Sequence, residues 1–408
     1  MHQHPGSDDD ARRVRTAGGA ELAAALQASR RDTLSTFAAY EAALGPELAV
    51  PYRTELNPPR WELGHIGWFQ EFWTTRNPQW ALGWRADPDA PRPEGVRPGA
   101  EALYHSSIVA HATRWGLPLP DADATRADLR AQLEATLAQL RGAAADDDAS
   151  LYFHRLALFH EDMHHEAALY MARGLDVAID DARWQPSALA GRRDELPLGP
   201  AHHRMAPDAR GFHFDNEAPL REVVLAPYRI DCRVLSWAEF LPFLEAGGYQ
   251  DGRWWTAAGN AWRLRSGLVA PRYLRRDGQG WHCRRAHGWQ PLQADHAAEH
   301  LTLHEAEAWC RWAGRRLPTE AEWEHAALQA PQPFAWGVVW EWTASPFEPF
   351  DGFQAHPYRD YSRPWFDGRP VLRGASYLTQ PRMRHRRYRN FFGADRNDIV
   401  AGFRSCAA

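Results

Sequence analysis

The run of residues in this sequence most suited to chemistry is HEDMHHE, at positions 160–166. It lies in a stretch of strong helical character, and His160 and His164 are four residues apart within it. Four helical residues turn the side chain by about 40° from its starting direction, so both imidazoles lie on one face and can share a metal ion. His165 points about 100° away and is not expected to join them.

His65 is the candidate for a third ligand. It lies in the middle of a predicted helix among Trp61, Trp68 and Phe69, where a polar side chain needs a partner. For His65 alone, a core histidine bonded to a backbone carbonyl is at least as common an explanation. Three neutral imidazoles leave coordination positions open for O2 and a substrate, but they do not exclude zinc. The HExxH pattern also occurs in zinc proteases, in which the glutamate, here Glu161, is the general base.

Four predicted helices would position these histidines. The four segments are 18–44, 58–77, 124–145 and 151–174. In these segments apolar residues recur at intervals of three and four, or prolines and a glycine mark the ends of the helix. Their mostly short connections predict a four-helix bundle over residues 18–175, and metal sites in bundles are built from facing helices. Residues 1–17 are polar and are expected to be disordered.

The composition changes after this bundle. Residues 176–195 are predicted to be a linker, and residues 196–408 carry short apolar runs, glycines, prolines and tryptophans. In that second half 303–313 and 320–328 still have a helical pattern. The sequence therefore predicts an all-helical domain followed by an irregular α+β domain.

Charge and cysteine usage narrow the class of protein. The net charge is -5, with 47 basic and 52 acidic residues, so a nucleic-acid partner is not expected. No stretch of about 18 apolar residues is present, so no membrane partner is expected either. The four cysteines are far apart and form no CxxC pair, which is typical of a reduced, cytoplasmic protein.

Several short motifs are specific in combination. In the second half they are GRRLPTEAEWE at 314–324, WEWT at 340–343, LRGASY at 372–377 and GFR at 402–404. Together they resemble the formylglycine-generating-enzyme (sulfatase-modifying factor) fold, an irregular C-type-lectin-like domain. The first half, with PPRWELGH at 58–65 and the HExxH helix, resembles a DinB-type four-helix bundle. Joined in one chain, the two resemble the iron-dependent sulfoxide synthases of ergothioneine biosynthesis and the related selenoneine synthases.

The resemblance implies a metal and a pair of substrates. In that family three bundle histidines bind Fe(II), which here gives His65, His160 and His164, and O2 is a co-substrate. The substrate is hercynine, the Nα-trimethyl betaine of histidine. Such a betaine calls for aromatic faces around its ammonium group and for donors to its carboxylate.

The betaine site is implied by the segment RNFF at 389–392. In the family an asparagine of this element binds the betaine, and Asn390 is the matching residue. Arg389, Phe391 and Phe392 flank it and are candidates for the same pocket. For any single aromatic residue, a place in the core is the commoner explanation.

Several residues differ from those of the sulfur-using relatives, and these differences bear on the identity of the second substrate. Met163 stands where those enzymes have a glutamine that holds the betaine, and Phe392 stands where they have an aspartate. Of the arginines that grip an anionic thiol donor, Arg114 alone remains, next to Trp115. A less anionic donor fits better, and the expectation is a neutral selenosugar, with C–Se bond formation as in selenoneine biosynthesis.

The expected catalytic tyrosine is displaced in this chain. The alignment places Phe353 at or near its position, with Tyr358 and Tyr361 following. Tyr358 and Tyr361 are therefore candidate proton donors, although tyrosines more often serve packing.

Three alternatives stay open. The chain would be a sulfoxide synthase that uses a cysteine-type thiol, a zinc hydrolase with Glu161 as its base, or a betaine-binding module without chemistry. Each predicts a different product or metal.

Overall fold

The helices occupy mainly the first part of the chain. The computed structural model describes residues 8–142 and 147–408. The α-helices are α1 (Asp9–Thr16), α2 (Gly19–Leu44), α3 (Pro59–Trp73), α4 (Ala100–Tyr104), α5 (Ala122–Gly142), α6 (Asp148–Gly174), α7 (Trp237–Glu245), α8 (Ala257–Ser266), α9 (Leu303–Trp312) and α10 (Glu320–Gln329). Within the described ranges, none of them combines the length and the apolar composition needed to cross a membrane.

Helices α2, α3, α5 and α6 pack against one another as the predicted bundle. Helix α6 is buried along most of its length, and Asp147 caps its start by accepting the backbone N–H groups of Ala149 and Ser150 at 3.2 and 3.1 Å. The predicted end of the third bundle helix, residue 145, lies outside the described residues. The predicted helical first half is confirmed.

The strands begin at Glu195 and form small sheets. They are β1 (Glu195–Leu198), β2 (Ala201–Met205), β3 (Arg221–Leu225), β4 (Tyr228–Asp231), β5 (Leu274–Asp277), β6 (Gly280–Arg285), β7 (Gly288–Pro291), β8 (Arg315–Arg316), β9 (Trp340–Pro346), β10 (Pro370–Gly374), β11 (Asn390–Phe391), β12 (Ala401–Gly402) and β13 (Cys406–Ala407). The sheet orders are β1-β4-β13-β8, β11-β10-β9-β12, β2-β3 and β5-β6-β7. Strands β9 and β10 are antiparallel with Arg373 opposite Glu341, whereas β12 runs parallel to β9. The predicted mixed second half is therefore confirmed as well.

The LPTEAEWE motif builds the core of this second part. Its threonine, Thr319, and its second glutamate, Glu322, form a capping box at the start of α10. Glu320 accepts two hydrogen bonds from Arg389, at 2.9 and 3.0 Å, and Glu324 pairs with Arg373. Trp323 donates to Glu341 at 2.9 Å. Glu320, Trp323 and Glu324 thus each satisfy a buried charge of another segment.

The predicted disorder of residues 1–17 is wrong from residue 8 onward. Residues 9–16 form α1, and residues 1–7 lie outside the described part of the chain. Arg15 donates to Glu217 at 2.6 and 2.8 Å, and Asp8 accepts from Arg386 at 2.6 and 2.5 Å. The polar composition concealed this helix because Arg15 and Asp8 find their partners far along the chain.

The second part of the chain also contains more helices than its sequence pattern predicts. Besides α9 and α10, the described residues include α7 and α8. A capping box of Ser236 and Glu239 starts α7, and Thr256 caps α8. Their shortness and the proline inside α7, Pro242, hid the helical period from the pattern.

Gly64 brings α3 close to Tyr104, and its replacement by alanine is expected to be damaging. A Cβ atom at position 64 would lie 2.2 Å from the Tyr104 ring. We expect Gly64→Ala to lower the free energy of unfolding by about 1–3 kcal/mol, the usual cost of overpacking. Urea denaturation measures this, and Gly116→Ala is the matched control because nothing lies within 4 Å of its added methyl group. Equal stability of the two variants would contradict the close approach.

Candidate metal centre

Three histidines from two bundle helices meet at one point. His65 comes from α3, and His160 and His164 come from α6. One nitrogen of each ring lies within 4.8 Å of those of the other two. The ring centroids are 5.0 Å apart for His65 and His160, 4.9 Å for His65 and His164, and 4.4 Å for His160 and His164. Metal–nitrogen bonds are about 2.0–2.1 Å long, so the three rings can reach one ion.

The outer ring nitrogens of His65 and His164 are already engaged. Nδ1 of His65 donates to the Tyr104 carbonyl at 2.8 Å, and Nδ1 of His164 donates to the Glu62 carboxylate. These bonds select the tautomer that leaves Nε2 free to bind a metal. Neither ring nitrogen of the buried His160 has a hydrogen-bond partner among the described residues. Burying an imidazole without hydrogen-bond partners costs free energy, and a bound metal ion would provide a partner for it.

Aromatic rings enclose His65 and His160, and burial keeps these two imidazoles neutral. Phe69 stacks on His160 at 3.4 Å between centroids, and Trp61 stacks on His65 at 4.6 Å. Burial, reinforced by the neighbouring His164, lowers the pKa of His65 to about 3 and lowers the pKa of His160 well below its usual value. Neutral imidazole is the form of histidine that binds a metal. The donor set therefore fits a divalent transition-metal ion.

A cavity of about 440 Å³, the substrate cavity, opens beside His164. Its wall combines α6, the segment before α3 and loops of the second part of the chain. Four of the predicted substrate-binding residues lie in this wall: Arg114, Met163, Asn390 and Phe392. A molecule in the substrate cavity can therefore contact the His164 side of the centre and the RNFF segment together.

Asn390 and Met163 both face this cavity, and each accepts one hydrogen bond from a neighbouring residue. The Asn390 Oδ1 accepts the backbone N–H of Phe391 at 2.9 Å, which leaves its amide Nδ2 to donate to a ligand. The Met163 sulfur accepts the Tyr388 hydroxyl at 3.3 Å, and that hydroxyl accepts from Tyr361 at 3.1 Å. Because a thioether is a weak acceptor, the Tyr388 hydroxyl can turn to a stronger partner in the cavity.

Three predicted substrate-binding residues are placed elsewhere. Arg389 is buried against Glu320, as described above. Phe391 stacks on Phe347 with centroids 4.1 Å apart. Trp115 donates its indole N–H to the Val50 carbonyl at 3.0 Å. None of the three lines the substrate cavity.

The predicted tyrosines do not line the substrate cavity either. Tyr358 meets Phe69 edge-on at 4.9 Å and lines a smaller void of about 220 Å³. Tyr361 donates its hydroxyl to that of Tyr388, which lines the cavity. Phe353, at the position expected for a tyrosine, packs edge-on against Phe366 at 5.0 Å. Tyr388 is therefore the tyrosine of this connected set whose side chain lines the cavity.

Two carboxylates of the site, those of Glu62 and Glu166, are not among the residues predicted from the sequence. Glu62 holds His164, and its position three residues before His65 puts it on the same helix face, a spacing that could have indicated it. Glu166 lines the cavity and accepts Trp340 at 2.8 Å and Ser376 at 2.7 Å. The spacing of residues around Glu166 in the sequence does not indicate its contacts with Trp340 and Ser376, because both partners lie in the second part of the chain.

Glu161, the glutamate of HExxH, faces away from the metal centre. Its carboxylate accepts Arg30 at 2.8 and 3.0 Å inside the bundle, and it does not line the substrate cavity. A general base must reach a water molecule on the metal. This geometry disfavours a zinc hydrolase with Glu161 as its base.

Replacing Glu161 by glutamine is therefore expected to cost stability and to spare the metal. The change leaves the Arg30 charge buried without its carboxylate, and breaking a buried pair costs about 3–5 kcal/mol. Urea denaturation and the metal content of the folded variant check this. Unchanged stability together with loss of the metal would indicate that Glu161 supports metal binding and not the packing of the bundle.

Comparisons with known proteins agree with this two-part architecture. Residues 195–338 match the family described as the Sulfatase-modifying factor enzyme 1-like domain. The chain is 32% identical to the hercynine oxygenase of Mycolicibacterium smegmatis, over 88% of this chain and 92% of that protein. It is 30% identical to the hercynine oxygenase of Mycolicibacterium thermoresistibile, over 94% of each. The formylglycine-generating enzyme of Streptomyces coelicolor is 35% identical, over 31% of this chain and 45% of that enzyme.

Proposed function

The chain belongs to the family of the hercynine oxygenases, and from this premise we propose that it uses Fe(II) and O2 to join selenium to hercynine. The second reactant in this proposal is a selenosugar, and the reaction is the C–Se bond formation of selenoneine biosynthesis. The observation that carries the proposal is the three-histidine centre beside a cavity that contains Asn390.

His65, His160 and His164 would hold the iron through one nitrogen each. The unpartnered nitrogens of His160 and the engaged Nδ1 atoms of the other two support this assignment. Iron(II) would supply the site at which O2 acts as the oxidant of the two reactants. Phe69 and Trp61 keep bulk water from the buried side of the centre, which strengthens electrostatic interactions there.

The substrate cavity suits a betaine. Trp340 and Tyr388 supply aromatic faces, and Glu166 supplies a carboxylate held between the Trp340 indole and Ser376. A quaternary ammonium is attracted to such a combination. The free Nδ2 of Asn390 can then donate to the betaine carboxylate, and the imidazole of hercynine would lie toward His164. The residues thus orient the substrate's carbon toward the metal.

The arginines of the cavity wall favour an uncharged second substrate. Arg114 donates to Asn57 at 2.6 Å and lies over the Trp61 ring at 3.9 Å. Arg396 pairs with Asp398 at 2.6 and 2.7 Å. A donor bearing carboxylates would have to compete with these bonds, although the buried Nε of Arg114 has no partner in the described residues. The hydroxyl groups of a sugar need only polar partners such as Asn57. We therefore favour the selenosugar over a cysteine-type thiol.

A donor competition tests the proposal. Purified protein with Fe(II), hercynine and O2 would receive equimolar selenosugar, thiosugar, cysteine and γ-glutamylcysteine, and mass spectrometry would identify the products. We expect the selenium adduct to exceed each sulfur product at least about tenfold, the ratio that a difference of 1.4 kcal/mol in the barrier produces.

The other outcomes separate the alternatives. A cysteine or dipeptide sulfoxide as the main product would make the chain a sulfur-using sulfoxide synthase. Retained iron without O2 consumption for any donor would indicate a binding module. Activity with zinc and without O2 would indicate a hydrolase.

A further inference from the structure

A buried charge cluster lies where the end of α6 meets the second part of the chain. Arg173 and Arg285 both bond to the same oxygen of Glu299, Arg173 at 3.3 Å. The side chains of Arg173, Arg285 and Glu299 are 12%, 10% and 5% exposed. Neither guanidinium has another carboxylate partner in the described residues. Two buried cations therefore share one anion.

A second cavity, of about 440 Å³, borders this cluster and is separate from the substrate cavity. Segment 180–186 and strands β6 and β7 enclose it. Arg285 and His296 line it, and across the described residues the Nη2 of Arg285 and the Nδ1 of His296 are buried without a hydrogen-bond partner. The amides of Gln185 and Gln290 line it as well.

These features share one chemical requirement. The cluster carries an uncompensated positive charge, and burial makes such a charge expensive. The unpartnered groups include a guanidinium N–H, which binds oxyanions with strong, charge-assisted hydrogen bonds. The carboxylate of Asp180 in the same wall is largely exposed and already pairs with His287 at 2.6 Å, so it does not neutralise Arg285.

We propose that this second cavity binds a small organic molecule through one oxyanion group, a carboxylate or a phosphate, held by Arg285. His296 and the glutamine amides contact the rest of the ligand, since the volume exceeds what a bare oxyanion needs. The site is independent of the metal centre and of the function proposed above.

Binding of simple probes to the full-length protein tests the site. Inorganic phosphate and succinate would be titrated by calorimetry and by thermal unfolding, against sodium chloride at matched ionic strength. We expect saturable binding to the wild-type protein and an affinity at least about tenfold lower in Arg285→Met, the loss typical of a hydrogen bond to a charged group. A preference for one probe identifies the oxyanion.

Arg284→Met is the matched control. It removes the same charge at the adjacent position, but Arg284 pairs with Asp176 and does not line the second cavity. We expect it to bind both probes like the wild-type protein. If Arg285→Met does not fold, Gln290→Leu and His296→Leu take its place and are expected to weaken binding in the same way. Equal stabilisation of all variants, or no saturable binding to the wild-type protein, would overturn the proposal.

Discussion

Replacing His160 by alanine is expected to abolish iron binding, and with it O2 consumption and product formation, in a protein that still folds. His160 contributes one of the three nitrogens, and two imidazoles alone hold a ferrous ion weakly. The substitution also removes the buried nitrogens that lack a partner, so the fold loses no hydrogen bond. Iron analysis per folded chain and an oxygen electrode measure the outcome.

The matched control is His165→Gln, one residue along the same helix. His165 bonds Thr36 at 2.9 Å on another side of α6 and is not part of the three-histidine group. Its variant is expected to keep iron, and circular dichroism would show that both variants are folded. Wild-type iron content in His160→Ala would contradict the assignment of this residue.

Replacing Glu62 by alanine is expected to weaken iron binding by about 10–100-fold, the usual effect of losing the partner of a ligating histidine. Burial alone would raise the pKa of the Glu62 carboxyl, but His164 and the other neighbours hold that pKa at about 2. The carboxylate therefore stays ionised at neutral pH, where it orients His164 and makes its Nε2 a stronger ligand. Competition with a chelator gives the affinity.

Two further variants isolate the cause. Glu62→Gln keeps an acceptor for the His164 N–H but loses the charge, and it is expected to fall between wild type and alanine. Glu55→Ala removes another carboxylate of the cavity wall that has no bond to the three histidines, and it is expected to bind iron normally. Equal affinities for Glu62→Ala and Glu55→Ala would mean that Glu62 does not support the metal.

The sequence could indicate the three histidines, because helical spacing places His160 and His164 on one face and a polar residue among tryptophans needs a partner. It could not show how each ring is held. Tyr104 and Glu62 act through bonds whose partners lie in other helices, and no local period records such contacts. The same limit hid Glu166, which is bound by residues of β9 and of the loop after β10.

The errors have a common physical cause. Helix α1 is missing from the prediction because Arg15 within it and Asp8 just before it are buried as ion pairs. Arg389 is expected at the substrate because of its neighbour Asn390. In a strand adjacent side chains point to opposite faces, so Asn390 can face the cavity while Arg389 is buried against Glu320 and Phe391 packs on Phe347. The pairing of Arg389 with Glu320 required the position of α10, which the sequence does not give.

Residues 160–166 of α6 also constrain how this enzyme can diversify in evolution. Six of the seven side chains have a defined partner. His160 and His164 belong to the metal centre, Glu161 pairs with Arg30, and Asp162 pairs with Arg382. His165 bonds Thr36, and Glu166 accepts a hydrogen bond from Trp340. Met163 has only a weak bond from Tyr388. Substitutions at the six would need compensating changes elsewhere, whereas position 163 can change alone. New substrate preferences in this lineage should therefore arise at position 163 and in the loops that face it.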